Sequence, residues 1–346
     1  MRLAAPLPWI RSAALVLGAA AAIVAAPSPA WAGGDVVSGP EARQLLLRMH
    51  NAATQRNYQG TLVVSAEGAM SSSRIVHYCE GKDSFDIVEM LDGQPRRVLR
   101  HNEQVLTLWP SARTARLEQR EAIQPFPSLL TGSEEQLFER YELVNEGPGR
   151  VAGFDAAVFV LRPRDAARFA QRLWAERGTG LLLRADVVDA DGRVLESSAF
   201  TDLSIGGKTK PSAASTVQGA LKQLDGWRLL KPVSQPTSLE SEGWKLKAPV
   251  AGFRPSSCVK RQLEPAAGEK PLTQAEVLHA IFTDGLTHVS LFIEPLRTDR
   301  HRSGGTAAGA TNTWMQAHGA HWITVVGDVP AATLKQFAAA LEFKSR

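Results

Sequence analysis

Apolar and polar positions divide the chain into a helical start and a long run of strands. Over Gly39–Tyr58 ("GPEARQLLLRMHNAATQRNY"), Leu45, Leu46, Met49, Ala52 and Ala53 recur at helical spacing and Pro40 suits a first turn, which predicts an amphipathic helix. From Tyr58 the period becomes two. "GTLVVSAE", "SSRIVHYCEG", "SFDIVEML", "RRVLRHN" and "EQVLTLWP" read as short strands punctuated by Gly, Asp-Gly or Asn. Connections this tight predict an antiparallel meander, not βαβ units. "FPSLLTGSEEQLFERY" predicts irregular chain and a short helix, with Ser133 and Gln136 spaced as a capping box. Strands resume in "GFDAAVFVLRPRD", "RFAQRLWAER", "GLLLRADVVDADG" and "RVLESSAFTDLSI", the last two joined at Asp191-Gly192, a hairpin signal because Gly tolerates positive φ.

After Ile205 the composition turns polar and Gly/Lys/Ser/Thr-rich, and residues 206–243 read as a linker with at most a weak helix. A second unit begins near Trp244. It holds a hairpin around Asp284-Gly285, a basic, Gly-rich loop from Arg297 to Gly309, and a further hairpin in "TNTWMQAHGAHWITVVG". A closing helix carries Leu334, Phe337, Ala338 and Leu341 on one stripe. The fold class is α+β, in two domains: 33–205 and 244–346.

Residues 1–32 carry Arg2 and Arg11, a small-apolar run (Ser12–Ala26) and Ala30-Trp31-Ala32, the pattern of a cleaved export signal. Removing them lowers the formal charge of +4 by two arginines, to +2. A chain so weakly basic is not expected to bind nucleic acid. An oxidising compartment would permit a disulfide between Cys79 and Cys258, but their placement in different domains favours two separate buried thiols.

The sequence holds no GxSxG, HExxH, Walker A or strand-borne GxGxxG, so no catalytic residue and no cofactor site is expected. "DADG" (Asp189–Gly192) lacks the later ligands of a calcium loop. His318 and His321 lack a third metal ligand, and His77, His279 and His288 read as satisfied strand histidines.

The first domain's strands each present apolar residues on one side: Val63, Ile75, Leu106, Leu108, Val158, Val160, Leu183, Val187 and Leu195, with Ala199 among them. The strand Leu195, Ser197, Ala199, Thr201, Leu203 is small in its middle. Two readings stand: a packed core, or a curled sheet around an apolar cavity for an acyl chain, with Pro125–Leu130 ("PFPSLL") lying across its mouth as a lid.

"RLWAERGTGLLLRADVVDADGRVLESSAFTDL" resembles the closing strands of the periplasmic sigma-factor regulatory proteins of the RseB/MucB family, through Trp174, Leu183, Arg184, Asp186, Asp189, Asp191, Gly192, Leu195 and Glu196. "MLDGQPRRVLRHNEQV", "FTDGLTHVSLFIE" and "ITVVGDVPAATLKQFA" resemble further family segments in the same order. Leu182 stands where the family usually has Pro, and Thr283 where it has Ser. The resemblance implies a LolA-like antiparallel β half-barrel with helices on its concave side, followed by a small C-terminal α+β domain. It attributes the small-residue strand to volume left on the concave face. It implies a non-enzymatic periplasmic regulator. The partner would be the periplasmic part of an RseA/MucA-like anti-sigma factor, shielded from proteolysis and released by lipopolysaccharide or another acylated lipid. It leaves open a lipid or lipoprotein carrier, and whether the protein forms a homo-oligomer. For partner contact the expected residues are Asp284 and Gly285 in the hairpin and Arg297, Arg300 and Arg302 in the basic loop, which would attract an acidic peptide.

Overall fold

The computed structural model describes residues 34–119, 134–207, 211–248, 250, 252–262 and 276–344. The expected signal segment and the Pro125–Leu130 lid lie outside the described residues. In chain order the first unit comprises β1 (Asp35–Val36), α1 (Gly39–Gln55), β2 (Tyr58–Ala66), β3 (Ala69–Glu80), β4 (Asp83–Met90), β5 (Arg97–His101), β6 (Gln104–Trp109), β7 (Thr114–Gln119), α2 (Glu134–Arg140), β8 (Tyr141–Val151), β9 (Phe154–Pro163), β10 (Ala170–Glu176), β11 (Leu182–Val188), β12 (Val194–Ile205), α3 (Val217–Leu221) and β13 (Arg228–Leu230). The second comprises β14 (Ser234–Pro236), β15 (Trp244–Leu246), β16 (Arg254–Gln262), β17 (Glu276–Thr283), β18 (His288–Pro295), β19 (Gly304–Ala308), β20 (Thr311–His318), β21 (His321–Gly327), α4 (Ala331–Ala340) and β22 (Leu341–Phe343).

The first sheet runs β1-β8-β9-β10-β11-β12-β2-β3-β4-β5-β6-β7-β13. Two meanders, β2–β7 and β8–β12, join where β12 pairs with β2. β13 alone runs parallel to its neighbour, β7. The edge strands β1 and β13 do not meet, so the sheet is an unclosed half-barrel. Helix α1 buries Ala42, Leu46, Met49, Ala52 and Ala53, the face its periodicity predicts. These pack with Leu143, Phe159 and Leu173 at one end and Leu62, Ile75, Leu183 and Phe200 at the other, and Leu137 of α2 joins the first group.

Directly paired residues share a face of a sheet. Ile75, Val88 and Val98 line up on the α1 side, while Ile87, Leu99 and Leu106 line up on the opposite one. That opposite face is covered by α3, whose Val217 and Ala220 pack on Leu99, Leu106, Leu108 and Ala115. The segment 206–243, expected to be a linker, therefore contributes a helix and an edge strand to the first unit.

The second sheet runs β14-β16-β17-β18-β21-β20-β19. Leu334, Phe337 and Ala338 of α4 cover one of its faces, against Phe282, Leu291, Ile323 and Val325. Strands β15 and β22 pair beside it. The Gly-rich stretch expected to be loop forms β19 over Gly304–Ala308, hydrogen-bonded to β20. Cys79 and Cys258 are separate free thiols, both half-buried.

Candidate binding site

The ten apolar residues expected to line a cavity fall on both faces of the first sheet. Ile75, Leu183 and Val187 lie on the α1 side, and Val63, Leu106, Leu108, Val158, Val160, Leu195 and Ala199 on the other. Leu106 and Leu108 are packed under α3, and Val160 packs separately with Ala170 and Val188. They do not enclose one common space.

The small middle of β12 has a different cause from a cavity. Ser197 Oγ donates to Asp186 Oδ1 at 2.7 Å. Asp186 is 1% exposed and accepts two bonds from Arg184, Nε to Oδ1 at 2.8 Å and Nη2 to Oδ2 at 2.7 Å. Arg184 in turn lies over the Trp174 ring at 4.5 Å, and Ala199 is its neighbour across the strand pair. A buried carboxylate must be paired and fully hydrogen-bonded. Ser197 supplies a donor, and the small Ala199 leaves room for the guanidinium.

A second buried ion pair joins the two units. Asp284, in the β17–β18 turn, accepts at Oδ1 from the backbone N–H groups of Leu286 and Thr287, 3.0 and 2.9 Å away. Its Oδ2 accepts from Tyr141 Oη at 2.9 Å and from Arg168 Nε at 2.6 Å, both in the first unit. Arg168, in the β9–β10 connection, also donates Nη1 to both carboxylate oxygens of Asp165 and stacks on Phe253 at 4.7 Å. Gly252 is in the left-handed region, and a Cβ there would collide with Arg168 and Arg140. Burial, and then the Asp284 charge, push the Tyr141 hydroxyl well above its usual pKa, so it stays a donor. Burial alone would lower the pKa of Arg168, but Asp284 outweighs it and the net shift is upward. Leu286 adds an apolar contact to the α1 cluster, and Thr333 Oγ1 donates to Ala167 O at 2.9 Å.

Beside this junction runs an open groove of about 850 Å³, walled by residues 162–166 and 168–170, the Asp189–Asp191 turn and Pro330 of the second unit. None of the ten apolar residues lines it. Of the residues expected to contact a partner, Asp284 and Gly285 are buried in the junction, where Asp284 is bonded to Arg168 and Tyr141 of the first unit. Sequence reasoning found the turn but had no sign of its partner, because Arg168 sits in an irregular connection without periodicity. Arg300 and Arg302 are exposed and Arg297 is half-buried.

The nearest approach to catalytic geometry is Cys79 Sγ, 3.3 Å from His77 Nε2, with His77 Nδ1 2.6 Å from Asp86. Burial and Asp86 raise the Cys79 thiol, and its Sγ lies 3.2 Å from Thr54 O, so it is a protonated donor rather than a nucleophile. No group of His, Cys, Asp or Glu among the described residues has metal-binding geometry.

An open half-barrel locked to a second α+β unit, with grooves and exposed arginines, defines a two-domain binding protein. The chain belongs to the MucB/RseB family: residues 41–218 match its N-terminal domain and residues 238–342 its C-terminal domain. This family consists of regulatory binding proteins, not enzymes. The sigma factor AlgU regulatory protein MucB of Pseudomonas aeruginosa is 28% identical over 306 residues, spanning 86% of this chain and 90% of the relative. The sigma-E factor regulatory protein RseB of Haemophilus influenzae is 24% identical over 307 residues, spanning 88% and 91%. The solved MucA/MucB complex of P. aeruginosa matches with a TM-score of 0.66 at 25% identity, covering 88% of this chain and 99% of that one.

Proposed function

We propose that this chain is an exported periplasmic regulator that binds the periplasmic segment of a MucA/RseA-like anti-sigma factor and shields it from proteolysis. The supporting observation is that both domains of the family match in order, together with the likeness to a MucB chain solved with MucA. Release by an acylated lipid is part of the proposal. A ligand that prefers the partner-free form weakens partner binding by linkage, and a tenfold release needs about 1.4 kcal/mol of differential affinity. Burial of two or three CH₂ groups supplies that, at ~0.8 kcal/mol each. The acyl chain would enter on the α1 side near Ile75 and Leu183, where the helix is held through the small side chains of Ala52 and Ala53.

Calorimetry of the mature chain with that periplasmic segment, without and then with lipopolysaccharide, tests the proposal. Tight binding weakened by lipid is expected. Lipid binding with no affinity for the segment would instead mark a lipid carrier that uses the half-barrel alone.

A further inference from the structure

The second sheet ends in β19, and no strand among the described residues pairs with its outer edge. Sheet edges carry unpaired backbone N–H and C=O groups, and proteins blunt them by short length, proline or charge. The other edge strands follow that rule: β1 has two residues, β13 three, and β14 three including Pro236. β19 does not. It is five residues long, "GGTAA", without proline or charge, and four of the five are exposed.

Register shows which groups are free. The β19–β20 hairpin closes through Gly309-Ala310 on the pair Ala308–Thr311. A two-residue hairpin closes on a hydrogen-bonded pair, and such pairs alternate along the ladder. Thr306 and Gly304 therefore also bond to β20, and the backbone groups of Gly305 and Ala307 point outward.

Charge decides what can approach. Arg300 and Arg302 are exposed just before the strand; Arg300 Nε lies 3.7 Å from the exposed Asp299 carboxylate, and Arg302 donates to the backbone carbonyls of Thr298 and His301, so the three arginines Arg297, Arg300 and Arg302 outweigh the one acid among them. At the other end, Gly309 abuts Ala66, and the Glu196 carboxylate accepts a backbone bond from Ala310. The edge is thus basic where it begins and acidic where it ends.

We propose that the outer edge of β19 is a strand-addition site for an extended peptide whose acidic residues lie beside Arg300 and Arg302. A peptide adding antiparallel passes Ala308 first and Arg302 last, which places those acidic residues toward its C-terminal end. The proposal rests on the regulator reading and adds where and how the anti-sigma segment is held.

The test is calorimetry of the mature chain with the synthetic periplasmic segment, comparing the unsubstituted protein, Ala307→Pro, and Arg300→Glu with Arg302→Glu. Proline at 307 removes an outward donor and spares the bonds to β20. Each variant is expected to weaken binding at least tenfold, the charge reversal most at low salt. In the unsubstituted complex, amide exchange is expected to slow at Gly305 and Ala307. If Ala307→Pro does not fold, the charge reversal and the exchange measurement decide alone. Binding that neither variant weakens, without slowed exchange, overturns this inference and leaves the regulator reading standing. No binding by the unsubstituted chain overturns both.

Discussion

Ser197 donates to a carboxylate that has lost nearly all contact with water, and its size follows from that bond. Ser197→Val removes the donor and crowds the Arg184–Asp186 pair. It should cost about 1–3 kcal/mol, read as a lower urea midpoint. His279 is a second polar residue whose surroundings fix its state. It stacks on Phe292 at 4.2 Å, and its Nε2 lies 3.2 Å from Ser290 Oγ. Burial, then the charges of Arg261 and His288, lower its pKa from 6.5 to about 4. The native state therefore holds it neutral where the unfolded chain is already protonated. Stability should be intact above pH 6.5 and lost as pH falls toward 4, by up to about 3 kcal/mol. His279→Gln should flatten that part of a plot of melting temperature against pH. The sequence placed His279 in a strand as a satisfied histidine. It could not show that Ser197 faces a charge, since Asp186 lies eleven residues away and meets it only through the β11–β12 register.

At the scale of elements, α1 was legible because a helix carries its own period, and its buried residues include four of the five picked from the sequence. The meanders were legible from their turns. The relation between strands was not. Alternation gives each strand two faces but does not say which one joins its neighbour's, and β-bulges at Trp174/Ala175, Val187/Val188 and Phe200/Asp202 shift that relation along the sheet. Residues grouped from separate strands thus divided between the α1 face and the opposite one. Helix α3 showed in the sequence only as a weak helix within a linker, because it is five residues long with a glycine inside; Gly219 is required because a Cβ there would strike the backbone of Ala213. Its role can be tested in the intact chain. Val217→Asp places a charge against Leu99 and Leu106 and should cost several kcal/mol, whereas Gln218→Asp, on the exposed side, should stay within about 0.5 kcal/mol. A free linker predicts that both are neutral, so equal urea midpoints would remove α3 from the first domain.

For the whole molecule the decisive contact is Arg168 with Asp284. The pair has no exposed side-chain surface, it joins a connection of the first sheet to a turn of the second, and Tyr141 and Phe253 close around it. A pair this buried adds little net stability over apolar packing, but removing Asp284 leaves buried donors of Arg168 and Tyr141 without their acceptor, with Asp165 as the carboxylate that remains. Asp284→Ala should therefore cost about 3–5 kcal/mol, more than a deletion at an exposed pair such as Arg300–Asp299. Arg168 keeps Asp165 as a carboxylate partner, but its Nε and the buried Tyr141 hydroxyl lose their acceptor, and because these groups lie between the units the loss should appear as uncoupling. Scanning calorimetry should show one transition for the unsubstituted chain and two for Asp284→Ala. The double variant Arg168→Met/Asp284→Leu should restore much of the single transition, since it removes both charges together. A single unshifted transition in Asp284→Ala would mean that the apolar contacts of Leu286 and the Thr333–Ala167 bond hold the units together without the pair. The outcome bears on regulation. If lipid enters under α1 and the peptide is held at β19, the two sites lie on different units. Among the described residues the units meet at this junction and where Gly309 abuts Ala66 and Glu196 accepts from Ala310, so loosening the junction should reduce the lipid-induced loss of peptide affinity more than either affinity alone.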